Sequence, residues 1–483
     1  MKLRVKAVGL STGYPLVAIL SKDDAKHLDV NALDRIDING TKVIVNISSN
    51  GMKNGNIGLF KETLEKLKVK PNQLVNVKIG HLPRGIEFIE NKLKGNVLNK
   101  EELDRIIKEI INNELNEAEI AYFVSACYSN GMSDKEVMYL TKAMVENSKT
   151  IKIGNKKVLD KHCVGGIPGN RTSMVIAPII ASMGFLMPKT STRSITSPSG
   201  TADTMETLAN VTLSKDQIIK AVKKTNACLV WGGALDLANA DQAIIRVERL
   251  LRIDAQPMLL SSILSKKKSV NASYVIIDIP IGETAKIKTS KEAKILRRRF
   301  VKIGKMLEMK VRVVITDGSQ PVGNGIGPVL EAIDVLQVLR GHGPKDLREK
   351  SIFLATELLD LAGVKKAKSK VLYSLASGRA YAKMKEIIKV QGKNLHRLKV
   401  GKYYKTIIST RSGRVHSIDN ERISKLARIL GCPEDKGAGL YLNVKKGFNV
   451  KRNQALFTMY AESRKKLDYA LEELDRDYPI KVS

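Results

Sequence analysis

Over residues 1 to about 90, apolar and polar positions alternate with a period of two. The segments KLRVKAV, PLVAIL, KVIVNIS and LVNVKI are separated by turn signals at Gly13, Asn39-Gly40, Asn50-Gly51 and Asn54-Gly55. Alternation of this kind sets one face of a strand on a core and the other in water, so a small β-rich domain, a barrel, is expected. From residue 96 the period lengthens to that of a helix. Three starts carry a capping residue followed three places later by Glu: Asn99 with Glu102, Asn116 with Glu119, and Ser133 with Glu136. In that pattern the two side chains each satisfy the other's backbone amide, which predicts a helical domain over 96–148, joined by about 235–270.

Beyond 150, short apolar strands alternate with longer helices. The order is VLDKH, a helix from Thr172 to Gly184, a helix from Ser214 with Gln217 at the capping position, ACLVW, a helical stretch over 239–265, YVIIDIP, a helix over 290–308, and VRVVITD. This rhythm predicts a mostly parallel sheet flanked by helices, an α/β phosphate-binding domain spanning 150–234 plus 271–398. After about 400 the pattern is mixed: KTIIST, GRVHSI, GLYLNV and ALFTMYA as strands, NERISKLARIL and a stretch near 463–475 as helices. The fold class expected is therefore α/β, with a small N-terminal β-rich domain, a helical domain, the α/β domain and a C-terminal α+β domain over 399–483.

Composition narrows the function. With 483 residues, 43% of them hydrophobic and 27% charged, the chain can bury a large core shared among several domains. Lys2, Arg4 and Lys6 alternate with Leu3, Val5 and Ala7, unlike a signal peptide. The longest apolar run, Met174 to Met187, holds Pro178 and Ser182 and is too short for a bilayer, so a cytoplasmic protein without membrane partners is expected. Cys127, Cys163, Cys228 and Cys432 stand singly, and the histidines are scattered, so neither a disulfide framework nor a metal cluster is expected. The net charge of +33 favours anions. Its basic runs, such as Lys266–Lys268 and Arg297–Arg299, are isolated, and aromatics make up only 5%, leaving few platforms for base stacking. No nucleic acid is expected as a partner, and anionic metabolites are. An RNA-binding or scaffold protein is the alternative from a different class.

The candidate chemistry begins at 161-KHCVGGIPGNRTSMVIAPIIASMG-184. A P-loop would place Gly-Lys-Ser/Thr after its glycine turn, and here Gly169 leads into Asn170, Arg171 and Thr172. The physical elements of an anion site survive: glycines that let the backbone approach a ligand, and a helix opening at Thr172 and Ser173 with its free amides and positive dipole end. A second segment, 189-KTSTRSITSPSGTADTMETL-208, gathers Lys189, Arg193 and a dense set of hydroxyls around Pro198 and Gly200. Either junction alone is also what a solvated turn looks like. Two so close in sequence point to one anion site.

Together with 257-PMLLSSILSKK-267, these stretches resemble the thymidine/pyrimidine nucleoside phosphorylase family over roughly residues 96–475. Members of that family carry Lys-His-Ser-Thr-Gly-Gly, a Ser-Gly-Arg loop, Gly-Thr-Leu-Asp and Ala-Ser-Ile-Leu-Ser-Lys-Lys. The resemblance implies a helical domain bearing a homodimer contact, an α/β domain holding inorganic phosphate, a cleft that closes on substrate, and no cofactor or metal. The chain is most similar to archaeal members with an extra N-terminal domain, through which a higher homo-oligomer could form. Those members act on a nucleoside 5′-monophosphate (AMP, also CMP and UMP) with phosphate, yielding free base and ribose 1,5-bisphosphate.

Residue roles follow from the same resemblance. Val247 stands where pyrimidine-specific members have an arginine that contacts the base, with Arg246 one place away. Asp254 is the proton donor to the departing base, an acid kept neutral by burial. Lys286, in 282-GETAKIK-288, replaces an apolar cleft residue and becomes a ligand of the 5′-phosphate. Ser262 and Lys266, one helical turn apart, meet base and sugar. Gly166, Thr192, Arg193, Ser194, Ile195, Thr196, Ser197 and Thr201 contact the nucleotide, while Lys161, Cys163 and Ser173 face inorganic phosphate. Cys163 occupies a position that is serine in relatives, and His162 is assigned to polarise phosphate or base. Two enzyme alternatives stay open: a thymidine/pyrimidine nucleoside phosphorylase, and an anthranilate phosphoribosyltransferase-like enzyme, whose Lys-x-x-x-Arg-Ser-x-Ser-Ser-x-Ser-Gly loop segment 189–203 also fits. Against the second stand SILSKK, the Lys-His before the double glycine, and the two end domains.

Overall fold

The computed structural model describes residues 1–13, 15–154, 156–194, 197–235, 239–392 and 398–483. The chain forms two compact units, Met1–Ser148 with Asn239–Ser262, and Lys149–Ala238 with Ile263–Ser483.

In the first unit, the strands Lys2–Ala7, Asn56–Leu59, Val17–Ser21, Thr41–Ser48, Arg35–Ile38 and Leu74–Ile79 close into a barrel in that spatial order. Leu3, Val5, Leu20, Ile36, Ile38, Val45, Ile57 and Val77 fill its interior, each separated from the next inward residue of its strand by an outward one where the strand alternates. Asn39 and Gly40, both at positive φ, make the tight hairpin joining Arg35–Ile38 to Thr41–Ser48. The strands at 35–38 and 56–59 were not visible in the pattern, because four residues are too few to display alternation. Residues 85–93, within the stretch read as β, are helical instead: Ile86, Ile89 and Leu93 recur at helical spacing and Gly85 N–H donates to the buried Glu109 carboxylate at 2.8 Å.

The helices Lys100–Ile111, Glu117–Asn130 and Asp134–Glu146 each open with the reciprocal cap expected of them. Arg35 fastens the barrel to this bundle. Its Nε donates to the Glu114 carbonyl at 3.0 Å and its guanidinium pairs with Glu119. The helical stretch 239–265 is two helices, Asn239–Leu251 and Gln256–Ser269. Arg252 in left-handed geometry and Pro257 just beyond interrupt the ladder between them.

In the second unit, the strands Lys310–Asp317, Tyr274–Ile281 and Leu159–Cys163 are parallel in that order. Met187–Ser191 and Ala227–Trp231 form a further parallel pair, linked to them by a parallel bridge between Val158 and Leu186. The apolar helix Thr172–Ser182 packs into a shared core with Pro328–Leu339, Lys345–Leu361, Ala367–Ala376 and Arg379–Val390. The C-terminal part adds an antiparallel sheet of Tyr403–Ile408, Ala455–Ala461 and Gly439–Leu442, which the two-residue strand Gly325–Ile326 extends. Around it lie a second small sheet and the helices Asn420–Ile429 and Arg464–Arg476. The whole is an α/β protein of several domains. Among the described residues no helix is long and apolar enough to cross a membrane.

Candidate active site

The strand Leu159–Cys163 delivers Lys161 and His162 to the carboxyl edge of the parallel sheet, where open α/β folds place their ligands. Lys161 is 1% exposed, and its Nζ donates to Thr172 Oγ1 at 2.7 Å, tying the strand end to the first residue of the next helix. Thr172 Oγ1 donates on to Asn170 Oδ1 at 3.2 Å, and Asn170 Nδ2 donates to Cys163 Sγ at 3.2 Å. The loop between needs glycine for two reasons. Gly166 has φ +87°, and a Cβ there would lie 2.7 Å from Lys286 N; Gly169 has φ +72°, and its Cβ would lie 2.1 Å from the Val322 carbonyl. The turn bearing Lys286 therefore rests directly on the glycine loop that precedes the Thr172–Ser182 helix.

The second donor-rich segment meets the first through Arg171, which is 6% exposed. Its Nη1 donates to Thr201 Oγ1 at 2.9 Å and its Nη2 to the Ser199 carbonyl at 2.7 Å, while Nε lies 2.5 Å from the buried Glu331 carboxylate. Asp203, at the start of the short helix Thr201–Glu206, holds the other side. Its Oδ2 accepts from Ser194 N at 2.7 Å and from Gly200 N at 2.9 Å. Gly200 is again obligatory, since a Cβ would sit 2.5 Å from the Thr192 carbonyl. Ser197 Oγ donates to the Ser199 carbonyl at 2.8 Å, which shapes the loop from within. Lys436 of the C-terminal part pairs with Glu206 at 2.9 Å and braces the helix from outside.

Charge in this region is unusually buried. Asp160 is fully enclosed and accepts from Lys267 Nζ at 2.6 Å, with Lys189 Nζ 3.7 Å from its other oxygen. Asp278, also enclosed, accepts from Thr316 at 2.5 Å and lies 3.2 Å from Lys350 Nζ. Burial pushes the Lys161 ammonium below the usual lysine range, against the pull of Cys163 and Asp278. Burial and the neighbouring Lys267, Lys189, Lys266 and Lys161 hold His162 well below the usual imidazole range, so its ring is neutral at pH 7. It can donate or accept a hydrogen bond there, but it brings no positive charge to an anion. Burial first, then Asp278, raise the Cys163 thiol, leaving it a protonated donor.

Other sequence-predicted residues fall as follows. Ser173 is buried in the first helical turn, and Thr201 half-buried on the Arg171 bridge. Thr192 and Ser194 sit partly buried on the loop, and Ile195 and Thr196 lie outside the described residues. The Arg193 guanidinium is engaged by Glu206 at 2.6 and 2.8 Å and by Asp203 at 3.1 Å, and it stacks 4.9 Å from the Trp231 ring centre. Those carboxylates neutralise it, so the arginine anchors the loop. Ser262 and Lys266 lie one turn apart on Gln256–Ser269, each partly buried. Val247 is buried at 2% exposure in the helical bundle, and Arg246 beside it pairs with Glu117 at 2.8 Å. Asp254 lies in the connector between the two helices and is exposed, where an acid kept neutral by burial was expected.

The sequence reading counted Lys189 among the donors of its segment and assigned no site role to Arg171, Asp160, Lys267, Asp278, Lys350, Asp203 or Glu331. For two of them a signal existed: Asp278 is a lone carboxylate in the apolar run YVIIDIP, and Asp160 immediately precedes the Lys-His pair.

A glycine loop, a helix start and a hydroxyl-rich loop converge at the carboxyl edge of a parallel sheet, the arrangement of a transferase domain of α/β type. Residues 155–381 match the α/β domain of a glycosyl transferase family, 86–148 its helical bundle domain, and 414–481 the C-terminal domain of pyrimidine nucleoside phosphorylase. The fold is shared with anthranilate phosphoribosyltransferase from Thermus thermophilus, with a TM-score of 0.53 at 17% identity over 63% of this chain and 98% of that one. Sequence relatives are nearer. AMP phosphorylase of Pyrococcus abyssi is 44% identical over 499 residues, that of Thermococcus sibiricus 40% over 493, each alignment covering 100% of this chain and 98% of the relative. AMP phosphorylase of Methanocaldococcus jannaschii is 39% identical over 494 residues, covering 100% of this chain and 97% of the relative. The chain belongs to the AMP phosphorylase family.

Proposed function

We propose that the chain catalyses phosphorolysis of AMP, and of CMP and UMP, with inorganic phosphate, giving the free base and ribose 1,5-bisphosphate. The observation that carries this, beyond family membership, is the seating of the Lys286 turn on Gly166. The backbone and Cβ of Lys286 pack on Gly166, which supports a lysine beside the glycine loop, as a substrate with its own phosphate requires. A nucleoside phosphorylase acting on uncharged nucleosides has no use for a second cation there.

Inorganic phosphate is held by Lys161, the Cys163 thiol, Ser173, Thr201 and the free amides at the helix start, all donors to its oxygens. One phosphate oxygen attacks C1′ of the nucleotide as the bond from C1′ to the base nitrogen breaks. The bonding pair leaves with the base, and the sugar is cation-like between them. Phosphate is already nucleophilic, so positioning and charge stabilisation supply most of the rate. Asp254 gives a proton to a ring nitrogen of the leaving adenine. Lys286 grips the 5′-phosphate, Ser262 and Lys266 orient base and sugar, and neutral His162 hydrogen-bonds. The enzyme works as a cytoplasmic homodimer.

The test is incubation with each nucleotide and nucleoside, with and without phosphate, followed by product identification. Adenine and ribose 1,5-bisphosphate should form from AMP only when phosphate is present. Loss of one charged hydrogen bond of about 1.5–3 kcal/mol makes adenosine the poorer substrate by roughly 10- to 150-fold. Lys286→Met should remove that preference, and equal rates on AMP and adenosine in the parent enzyme would sink the role of Lys286. Consumption of phosphoribosyl pyrophosphate in place of AMP would overturn the assignment.

A further inference from the structure

The lysines around the phosphate loop outnumber the acids that could neutralise them. Among the described residues, Lys161, Lys189, Lys267 and Lys350 surround the Leu159–Cys163 strand with side chains no more than about a tenth exposed, facing the carboxylates of Asp160 and Asp278. Lys267 takes one Asp160 oxygen at 2.6 Å, and Lys189 is left 3.7 Å from the other, which already accepts the Lys161 amide at 2.7 Å. The Lys189 ammonium also donates to the Thr190 carbonyl at 2.7 Å, a neutral acceptor. Two buried ammonium groups thus share one carboxylate, and Lys161 has a hydroxyl in place of a counter-ion. Each uncompensated buried charge costs several kcal/mol, which a protein avoids by shedding a proton. Of the two that share Asp160, the poorer paired is Lys189, at 3.7 Å against 2.6 Å for Lys267.

Resting on the assignment of this loop as the phosphate site, we propose that anion binding is coupled to uptake of one proton by Lys189. With the site empty, the Lys189 amine is neutral and Lys267 alone holds Asp160. When a dianion enters, its two negative charges balance the surplus, and Lys189 takes a proton from solvent to become ammonium. No bond to phosphorus changes in this step. The groups facing Lys189 are Asp160, Lys161 and His162 from the neighbouring strand, Lys267 from the helix Gln256–Ser269, and the Cys228 thiol from the strand on its other side. Of these only Asp160 favours the charged form. Burial first, and the positive charges of Lys267 and Lys161, hold the ammonium well below the usual lysine range. His162, surrounded by four lysines, is the group least able to accept the proton.

The experiment is calorimetric titration of the full-length enzyme with sulfate, a dianion that does not itself titrate, at pH 7.5–8 in two buffers of different ionisation enthalpy. Phosphate is titrated in parallel to establish that the two compete. The parent should take up between half a proton and one proton per sulfate. Lys189→Met should take up none, and Lys189→Arg, which keeps its charge at every working pH, should bind sulfate with none while retaining the fold. His162→Gln should retain the uptake. Binding heats identical in both buffers for the parent, or uptake that survives in both Lys189 variants, overturn the proposal while leaving the phosphate site intact. If neither anion binds the parent, the phosphate assignment fails along with it.

Discussion

Among the described residues Arg171 joins the glycine loop to the hydroxyl-rich loop through both Thr201 and the Ser199 carbonyl, so its replacement is the most informative perturbation. Arg171→Lys keeps a positive charge for Glu331 but loses the planar fork that reaches Thr201 Oγ1 and the Ser199 carbonyl together. Two hydrogen bonds from a charged donor are removed, each worth about 1.5–3 kcal/mol. Asp203 still holds Gly200 and Ser194 by their amides, so the loop is loosened without being freed. A net loss of about 2–3 kcal/mol in phosphate binding is a roughly 30- to 150-fold rise in the phosphate KM. The KM for AMP should move much less. Arg171→Met goes further, because it strands a carboxylate that is 1% exposed and whose ionisation burial already opposes. Breaking such a pair from one side costs about 3–5 kcal/mol of stability, and the double variant with Glu331→Gln should regain most of it. Initial rates of adenine release at saturating AMP with varied phosphate give the first number, and thermal midpoints of the three variants give the second as an ordering. A phosphate KM within threefold of the parent in Arg171→Lys, or an Arg171→Met protein that melts no earlier than the double variant, would refute the bridge.

Three further outcomes are expected. Asp254→Asn should lower turnover on AMP by roughly 100-fold or more with phosphate affinity unchanged, as expected for loss of a general acid, and an unimpaired variant removes Asp254 from that role. Gly166→Ala forces a Cβ to 2.7 Å from Lys286 N at a φ that only glycine adopts freely, so it should raise the KM for AMP more than that for adenosine; equal changes would count against the seating of the Lys286 turn. Stability without phosphate should rise with pH. Lys189 carries fewer protons in the folded state than in the unfolded state between its lowered value and the ordinary lysine value of 10.5. The cost of charging it is thus full at low pH and fades as pH climbs through that window. Thermal midpoints across pH 7–10 in Lys189→Met should lack that slope relative to the parent.

What the sequence disclosed, and what it withheld, follows from how each feature is encoded. A barrel strand such as Lys2–Ala7 has one wet face, so alternation of Lys2, Arg4 and Lys6 with Leu3 and Val5 writes its geometry into the chain. The caps at Asn99, Asn116, Ser133 and Ser214 are equally local, with donor and acceptor three residues apart. The glycine loop was legible for the same reason, since one of the two needs for Gly166 and Gly169 lies in their own φ angles; the other, close approach of Lys286 and Val322, was not. By contrast, Pro328–Leu339 is apolar on most sides because it is buried from most sides, and a period vanishes when there is no solvent face to mark it. The charges of the site were hidden more deeply. Lys267 reads as one of a run of surface lysines, and only its meeting with Asp160, 107 positions away, shows that it has left solvent altogether. The same holds for Lys350 and Asp278, and for Arg171 and Glu331. A lone Lys or Asp carries no periodicity, and its value is decided by what else the fold buries beside it. The surplus of positive charge that prepares this domain for a dianion is thus a property of pairings, and the net charge of +33 gives no hint of it, since charges on the surface are screened and those few around the strand are not.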